Sequence, residues 1–229
     1  MTRLQQKVAI WGDSILKGVI FDDLKGRYEQ LADNCVALVS RGLGMDIINK
    51  SRFGCTVDKG FAQLERSLAD GLECDTVLLE YGGNDCDFDW AAVSENPDLP
   101  HQPRTNLAHF REMLQKMIDT LRERGIEPFL MSLPPIVGDR YLDFLVSKGL
   151  NRDNLMRFLG DVHQIYRWHE SYSLVITHLA EKNRCYYAPV REHFLSLRNS
   201  PDLMCTDGLH PNEAGHRQMQ VVFTALALG

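Results

Sequence analysis

Residues 76–81 read Thr-Val-Leu-Leu-Glu-Tyr, a run with almost no polar face. A strand of that kind must be covered on both sides, which happens in parallel sheets held between layers of helices. Runs of similar character occupy residues 7–11, 46–49, 128–133 and 185–188. The stretches between them carry apolar residues at helical spacing. One lies near residues 31–43, after a loop, and one over 57–72. Another places Phe110, Met113, Leu114, Met117 and Leu121 on one face. Thr105 is the expected cap of that helix and Gly125 its stop. Tyr172, Val175, Ile176 and Leu179 mark a further helix, and Met219, Val222, Phe223 and Leu226 a last one after Asn212. The alternation predicts an α/β fold with a parallel sheet and helices on both faces.

With 229 residues the chain can bury a real core without disulfide staples. No repeat or linker interrupts it, so a single domain over 1–229 is expected. Two segments fall outside the pattern, near 86–104 and 136–168. Excursions of that length are often lids or binding loops. A helical hairpin covering the sheet, or a dimer contact, is the competing reading. The net charge of -6 and the lack of any basic run leave no electrostatic footprint for nucleic acid or for an anionic membrane surface. No apolar run approaches the ~20 residues that cross a bilayer. Residues 1–7 lead directly into a strand without the apolar region of a secretory signal, so a cytoplasmic location is expected. The six cysteines form no C-x-x-C pair and are expected to be reduced and mostly buried.

Four short motifs carry chemistry. Gly12-Asp13-Ser14 follows the first strand, and the carboxyl ends of parallel strands are where open α/β sheets bind ligands. Asp207-Gly208-Leu209-His210-Pro211 precedes the last helix. Serine needs a base to be a nucleophile at neutral pH, and imidazole titrates in the right range. An Asp three residues before the His can fix its tautomer and balance its charge. Gly82-Gly83-Asn84-Asp85 follows the third strand, where the Asn84 amide can meet a developing oxyanion. Ser51-Arg52-Phe53-Gly54-Cys55 follows the second, and Gly54 can offer a bare backbone N–H. Each motif alone is equally a turn. Together they fall in order at strand ends that converge on one edge of a doubly wound sheet.

With these four blocks at 12–14, 54, 82–85 and 207–211, the chain resembles the SGNH hydrolases, the GDSL-type esterase and lipase family. The resemblance spans nearly the whole sequence. It implies a three-layer α/β/α sandwich with a flavodoxin-like five-stranded parallel sheet. It implies Ser14 as nucleophile, His210 as general base and acid, and Asp207 as its orienting partner. The oxyanion hole would comprise the N–H groups of Ser14 and Gly54 and the side chain of Asn84. It requires no metal or organic cofactor.

The expected activity is hydrolysis of carboxylic esters through an acyl-enzyme, with short acyl groups such as acetyl esters of carbohydrates in view. Trp11, Trp90 and Trp168 are candidates to line a sugar cleft, Trp90 first because it follows Asn84 in the irregular segment. The apolar residues between Tyr141 and Leu159 keep longer acyl chains or thioesters open. Acyl transfer to an alcohol would use the same residues, and a non-catalytic binding module is a further alternative. Asp13 and Asp85 either support their catalytic neighbours or merely form turns. Cys55 is a rival nucleophile without an adjacent activating group. The remaining histidines show no metal-ligand spacing.

Overall fold

The structure is a computed structural model that describes residues 7–228. The part of the leader expectation that concerns residues 1–6 lies outside the described residues. In chain order the elements begin β1 (Val8–Gly12), α1 (Ser14–Lys17), β2 (Val19–Asp22), β3 (Arg27–Gln30), α2 (Cys35–Leu43) and β4 (Ile47–Asn49). They continue α3 (Val57–Ala69), β5 (Thr76–Glu80), α4 (Trp90–Glu95), α5 (Leu107–Glu123) and β6 (Glu127–Met131). Then come α6 (Gly138–Ser147), α7 (Arg152–Leu159), α8 (His163–Asn183), β7 (Tyr186–Ala188), α9 (Val190–Ser196) and α10 (Glu213–Leu228).

Five strands form one parallel sheet in the order β4-β1-β5-β6-β7. The α/β fold expected from the alternating pattern is therefore present, with the flavodoxin-like strand order. Side chains alternate across a strand, and here both sides are apolar. Ala9, Trp11, Val77 and Leu79 join residues of α3, α5 and α8 in one core. Ile10, Leu78 and Met131 join residues of α2, α9 and α10 in the other. Every residue of β5 is buried, as its lack of a polar face requires. Chain order reverses beside β1, which lies between β4 and β5, and the crevice at such a switch point is the natural ligand site.

Three expectations change. The loop before α2 contains an antiparallel hairpin, β2 with β3, whose turn is tied by Asp22 accepting from the N–H groups of Leu24 and Lys25 at 3.0 and 3.1 Å. Thr105 does not cap α5. Its carbonyl accepts from Tyr172 Oη at 2.6 Å and its N–H bonds Asp85 O at 3.0 Å, which commits it to the loop. The next residue, Asn106, is an equally competent cap and accepts from His109 N at 3.0 Å. The 136–168 segment is largely helical, and 86–104 holds the short helix α4. α4, α6 and α7 bury Trp90, Val93, Leu142, Leu145 and Leu155 in a third apolar cluster separate from the two sheet faces. No described helix is long and apolar enough to cross a membrane.

Candidate active site

Ser14 opens α1 immediately after β1. Asp13 caps that short helix, its Oδ1 accepting from Ile15 N at 2.9 Å. His210 Nε2 lies 2.8 Å from Ser14 Oγ, and His210 Nδ1 lies 2.6 Å from Asp207 Oδ2. With the Nδ1 proton directed at Asp207, Nε2 presents its lone pair to the serine hydroxyl. The other Asp207 oxygen accepts from the N–H groups of Leu209 and His210 at 3.0 and 3.1 Å. Burial works to raise the pKa of Asp207. The bond from His210, its charge and the two backbone donors outweigh it and hold the carboxyl below its usual range. All three side chains are buried, Ser14 at 5%, His210 at 6% and Asp207 at 0% exposure, so their interactions escape most solvent screening.

The base is braced by aromatic rings. Tyr28, on the hairpin, lies 5.0 Å from the His210 ring, and Phe53 lies nearly parallel to it at 6.4 Å. Tyr28 and Phe53 are themselves 5.2 Å apart. Sequence patterning did not single out either ring, because the hairpin that brings Tyr28 to the site was read as a loop.

Asn84 donates through Nδ2 to Asp13 Oδ2 at 2.8 Å, which leaves its second N–H without a protein acceptor among the described residues. The glycine before this pair is obligatory. Gly82 has φ +134, and a Cβ there would meet Leu133 Cδ1 at 2.8 Å. Asp85 accepts from Val57 N at 3.0 Å and so ties the loop to the start of α3. Its own carboxyl is pushed up to about 6, chiefly by burial. Asp13 and Asp85 are therefore more than turn formers. Asp13 ties Ile15 N to the Asn84 amide, and Asp85 ties its loop to α3.

Below Asp13 lies Glu80, fully buried at the end of β5. Glu80 Oε2 accepts from Asp13 N at 3.1 Å, and Oε1 has no partner. Burial pushes the Asp13 carboxyl up, and the bonds it accepts from Ile15 N and Asn84 Nδ2 work against that rise. Burial first, then the charge of Asp13, pushes the Glu80 carboxyl well above the usual carboxylate range. The apolar reading of residues 76–81 passed over this carboxyl.

Gly54 sits in the turn after β4 with φ +67, and the same turn is anchored by Arg52 N bonding Gly12 O at 3.0 Å. Gly54 does not contribute to the cavity wall described next. The Cys55 thiol is buried, and burial pushes it up to about 11, which removes it as a competing nucleophile.

Ser14, Asn84 and His210 open onto a cavity of about 460 Å³. Phe88, Trp90, Phe158 and Trp168 form its aromatic wall, and His101, Gln102, Gln164 and His169 add polar groups. The structure thus places Trp90 in the wall, where Asp87 holds it by accepting from Trp90 Nε1 at 2.7 Å. Asp87 also accepts from Tyr141 Oη at 2.8 Å and pairs with Arg104 at 3.1 Å. Trp168 joins it through the α8 side, its Nε1 donating to Cys86 O at 3.0 Å. Trp11 faces the core instead. Among the described residues no group of three or more His, Cys, Asp or Glu side chains is placed to hold a metal ion.

A serine, a histidine and a carboxylate in one hydrogen-bonded chain at the carboxyl edge of a doubly wound sheet describe a hydrolase of acyl compounds. The sequence matches the model of the GDSL-like Lipase/Acylhydrolase family over residues 10–218. The chain belongs to that family and is a carboxylic ester hydrolase. Comparison with curated protein sequences finds no match. A lipase/acylhydrolase from Enterococcus faecalis is similar in fold, with a TM-score of 0.67 and 17% identity, over 97% of this chain and 95% of the other. An acetylxylan esterase from Geobacillus stearothermophilus aligns with a TM-score of 0.65 and 20% identity, over 97% and 94%. An enzyme from the metagenome of Lake Arreo, Spain, aligns with a TM-score of 0.67 and 20% identity, over 97% and 95%.

Proposed function

We propose that the protein cleaves short acyl esters, such as acetyl esters of carbohydrates, through an acyl-enzyme on Ser14. The hydrogen-bonded chain Ser14–His210–Asp207 at the mouth of the cavity carries this reading. Ser14 Oγ attacks the ester carbonyl while its proton passes to His210 Nε2. The imidazolium is balanced by Asp207, whose anionic form is already favoured. The tetrahedral oxyanion is held by the free N–H of Asn84 and by the backbone N–H of Ser14. His210 then protonates the departing alkoxide and leaves an ester on Ser14. Water, deprotonated by the same nitrogen, attacks that ester, and collapse releases the acid and returns the proton to Ser14.

The carbohydrate portion of the proposal rests on the cavity wall. Aromatic faces beside hydrogen-bonding side chains suit a sugar ring, whose faces are apolar and whose rim is hydroxylated. The fold is shared with an acetylxylan esterase, which points the same way. One observation favours a second reading. The cavity volume exceeds the space an acetyl group fills, so a longer acyl chain directed into it is the alternative.

A p-nitrophenyl ester series from acetyl to palmitoyl, run with wild type and Ser14→Ala side by side, tests both readings. Activity confined to short chains and lost in the variant supports the proposal. Activity that rises with chain length moves the substrate to lipid or thioester acyl groups. Retained activity in Ser14→Ala sinks the assignment of the nucleophile.

A further inference from the structure

Glu80 has no role in the reaction as written, yet its setting is costly. A carboxyl group is fully buried at the end of a central strand, and one of its oxygens has no hydrogen-bond partner. Buried polar groups left unsatisfied are destabilising. The backbone opposite is shaped for it. Gly12 is the ladder partner of Glu80, and a Cβ on Gly12 would stand 2.9 Å from Glu80 Oε2. From that oxygen a continuous path leads to the reaction. Glu80 Oε2 accepts from Asp13 N at 3.1 Å, and Asp13 Oδ2 accepts from Asn84 Nδ2 at 2.8 Å. The nucleophile is the residue after Asp13.

We propose that Glu80 is a positioning residue for the oxyanion donor, acting through Asp13 to aim the Asn84 amide. This rests on the reading of Asn84 given above. Asn84 has two N–H groups. Asp13 takes one and thereby fixes the direction of the other. Asp13 does this only while its carboxylate is held still beneath Asn84. Its own N–H is held by Glu80 Oε2 at 3.1 Å. A donor fixed before the charge develops costs no reorganisation in the transition state, which is why orientation matters more than proximity. The contribution of Glu80 therefore belongs to kcat and not to substrate affinity.

The test is a double-mutant cycle on hydrolysis of p-nitrophenyl acetate. Glu80→Leu fills the volume but cannot hold Asp13, and should lower kcat by about 10²-fold with KM within threefold, approaching the loss from one oxyanion donor. Glu80→Gln can accept from Asp13 N and donate to its carboxylate, and should restore kcat to within about threefold of wild type. Asn84→Ala should lose about 10²–10³ in kcat, and Glu80→Leu combined with it should lose no more. Asp13→Asn, nearly isosteric, is the second variant should Glu80→Leu not fold. It should lower kcat at constant KM and be non-additive with Asn84→Ala. Losses that multiply in the double variants, or a Glu80→Gln protein as impaired as Glu80→Leu, overturn the relay. If Asn84→Ala retains full kcat, the oxyanion assignment itself fails and the relay falls with it. If Asn84→Ala is crippled and Glu80→Leu is not, the relay alone fails.

Discussion

Gly12 and Glu80 face each other across the β1–β5 ladder, and there is no room between them for a methyl group. The added carbon of Gly12→Ala would press on Glu80 Oε2 and on the hydroxyl of Ser51, at 2.9 and 3.2 Å. Relief must come from movement of the strand end that carries Asp13 and Ser14. Overpacking of this kind costs about 1–3 kcal/mol. Gly12→Ala is expected to fold with a lowered melting temperature and to lose more kcat than its stability loss accounts for. Thermal unfolding and steady-state kinetics on one preparation check this.

Asp207→Asn retains the shape of the side chain but not its charge. Its amide can present a donor to His210 Nδ1 and so favour the wrong tautomer. A loss in kcat of about 10⁴ is expected with the fold intact, by analogy with the same change in a serine protease triad. Circular dichroism and kinetics at neutral pH together decide it. A loss under tenfold would remove Asp207 from the proton path.

His216 is buried at the start of α10, where its Nδ1 accepts from Cys35 N at 3.4 Å and its Nε2 has no partner. Burial, then the charge of His210, lowers it to about 4. The unfolded chain therefore binds a proton near pH 6.5 that the folded chain refuses until about pH 4. Stability from this group is fully present above that window and falls as the pH drops through it, by about 3 kcal/mol in total. His216→Gln removes the titration. Urea unfolding at pH 7 and pH 4 should show a smaller acid loss in the variant than in wild type. An equal loss in both proteins would contradict the prediction.

Phe158 contributes to the aromatic wall of the cavity and packs against Phe88 at 5.3 Å. Phe158→Ala should raise KM for an acetylated sugar by about tenfold, the worth of roughly one aromatic contact, and leave kcat nearly unchanged. Should kcat fall and KM hold, the wall would be shaping the catalytic loop and not binding the substrate.

Much of this arrangement is legible in the sequence, because parallel strands buried on both faces announce themselves. Residues 76–81 and 7–11 locate β5 and β1 to within a residue or so. The blocks at Ser14, Asn84 and Asp207–His210 stand out since a turn after a buried strand has few reasons to carry those side chains. The hairpin β2–β3 was not legible. Its strands are four residues each and mostly half-buried or exposed, so no period of two emerges. The cap cluster was visible as apolar content between Tyr141 and Leu159 but not as helices packed on α4, since pattern records burial and not the partner. Glu80 was hidden for a different reason. Its meaning comes from Gly12 and Asp13, more than sixty residues away, and such a pairing exists only once the sheet has formed.

The bond between Ser14 and His210 joins groups 196 residues apart in the chain. The nucleophile is made long before its base, and neither has any potency without the other. A growing or clipped polypeptide thus holds an inert alcohol, and acyl groups of the surroundings are safe from it. Hydrolytic competence arises only when these two distant segments have met, so recovered turnover after dilution from denaturant is a gauge of long-range assembly and not of local order.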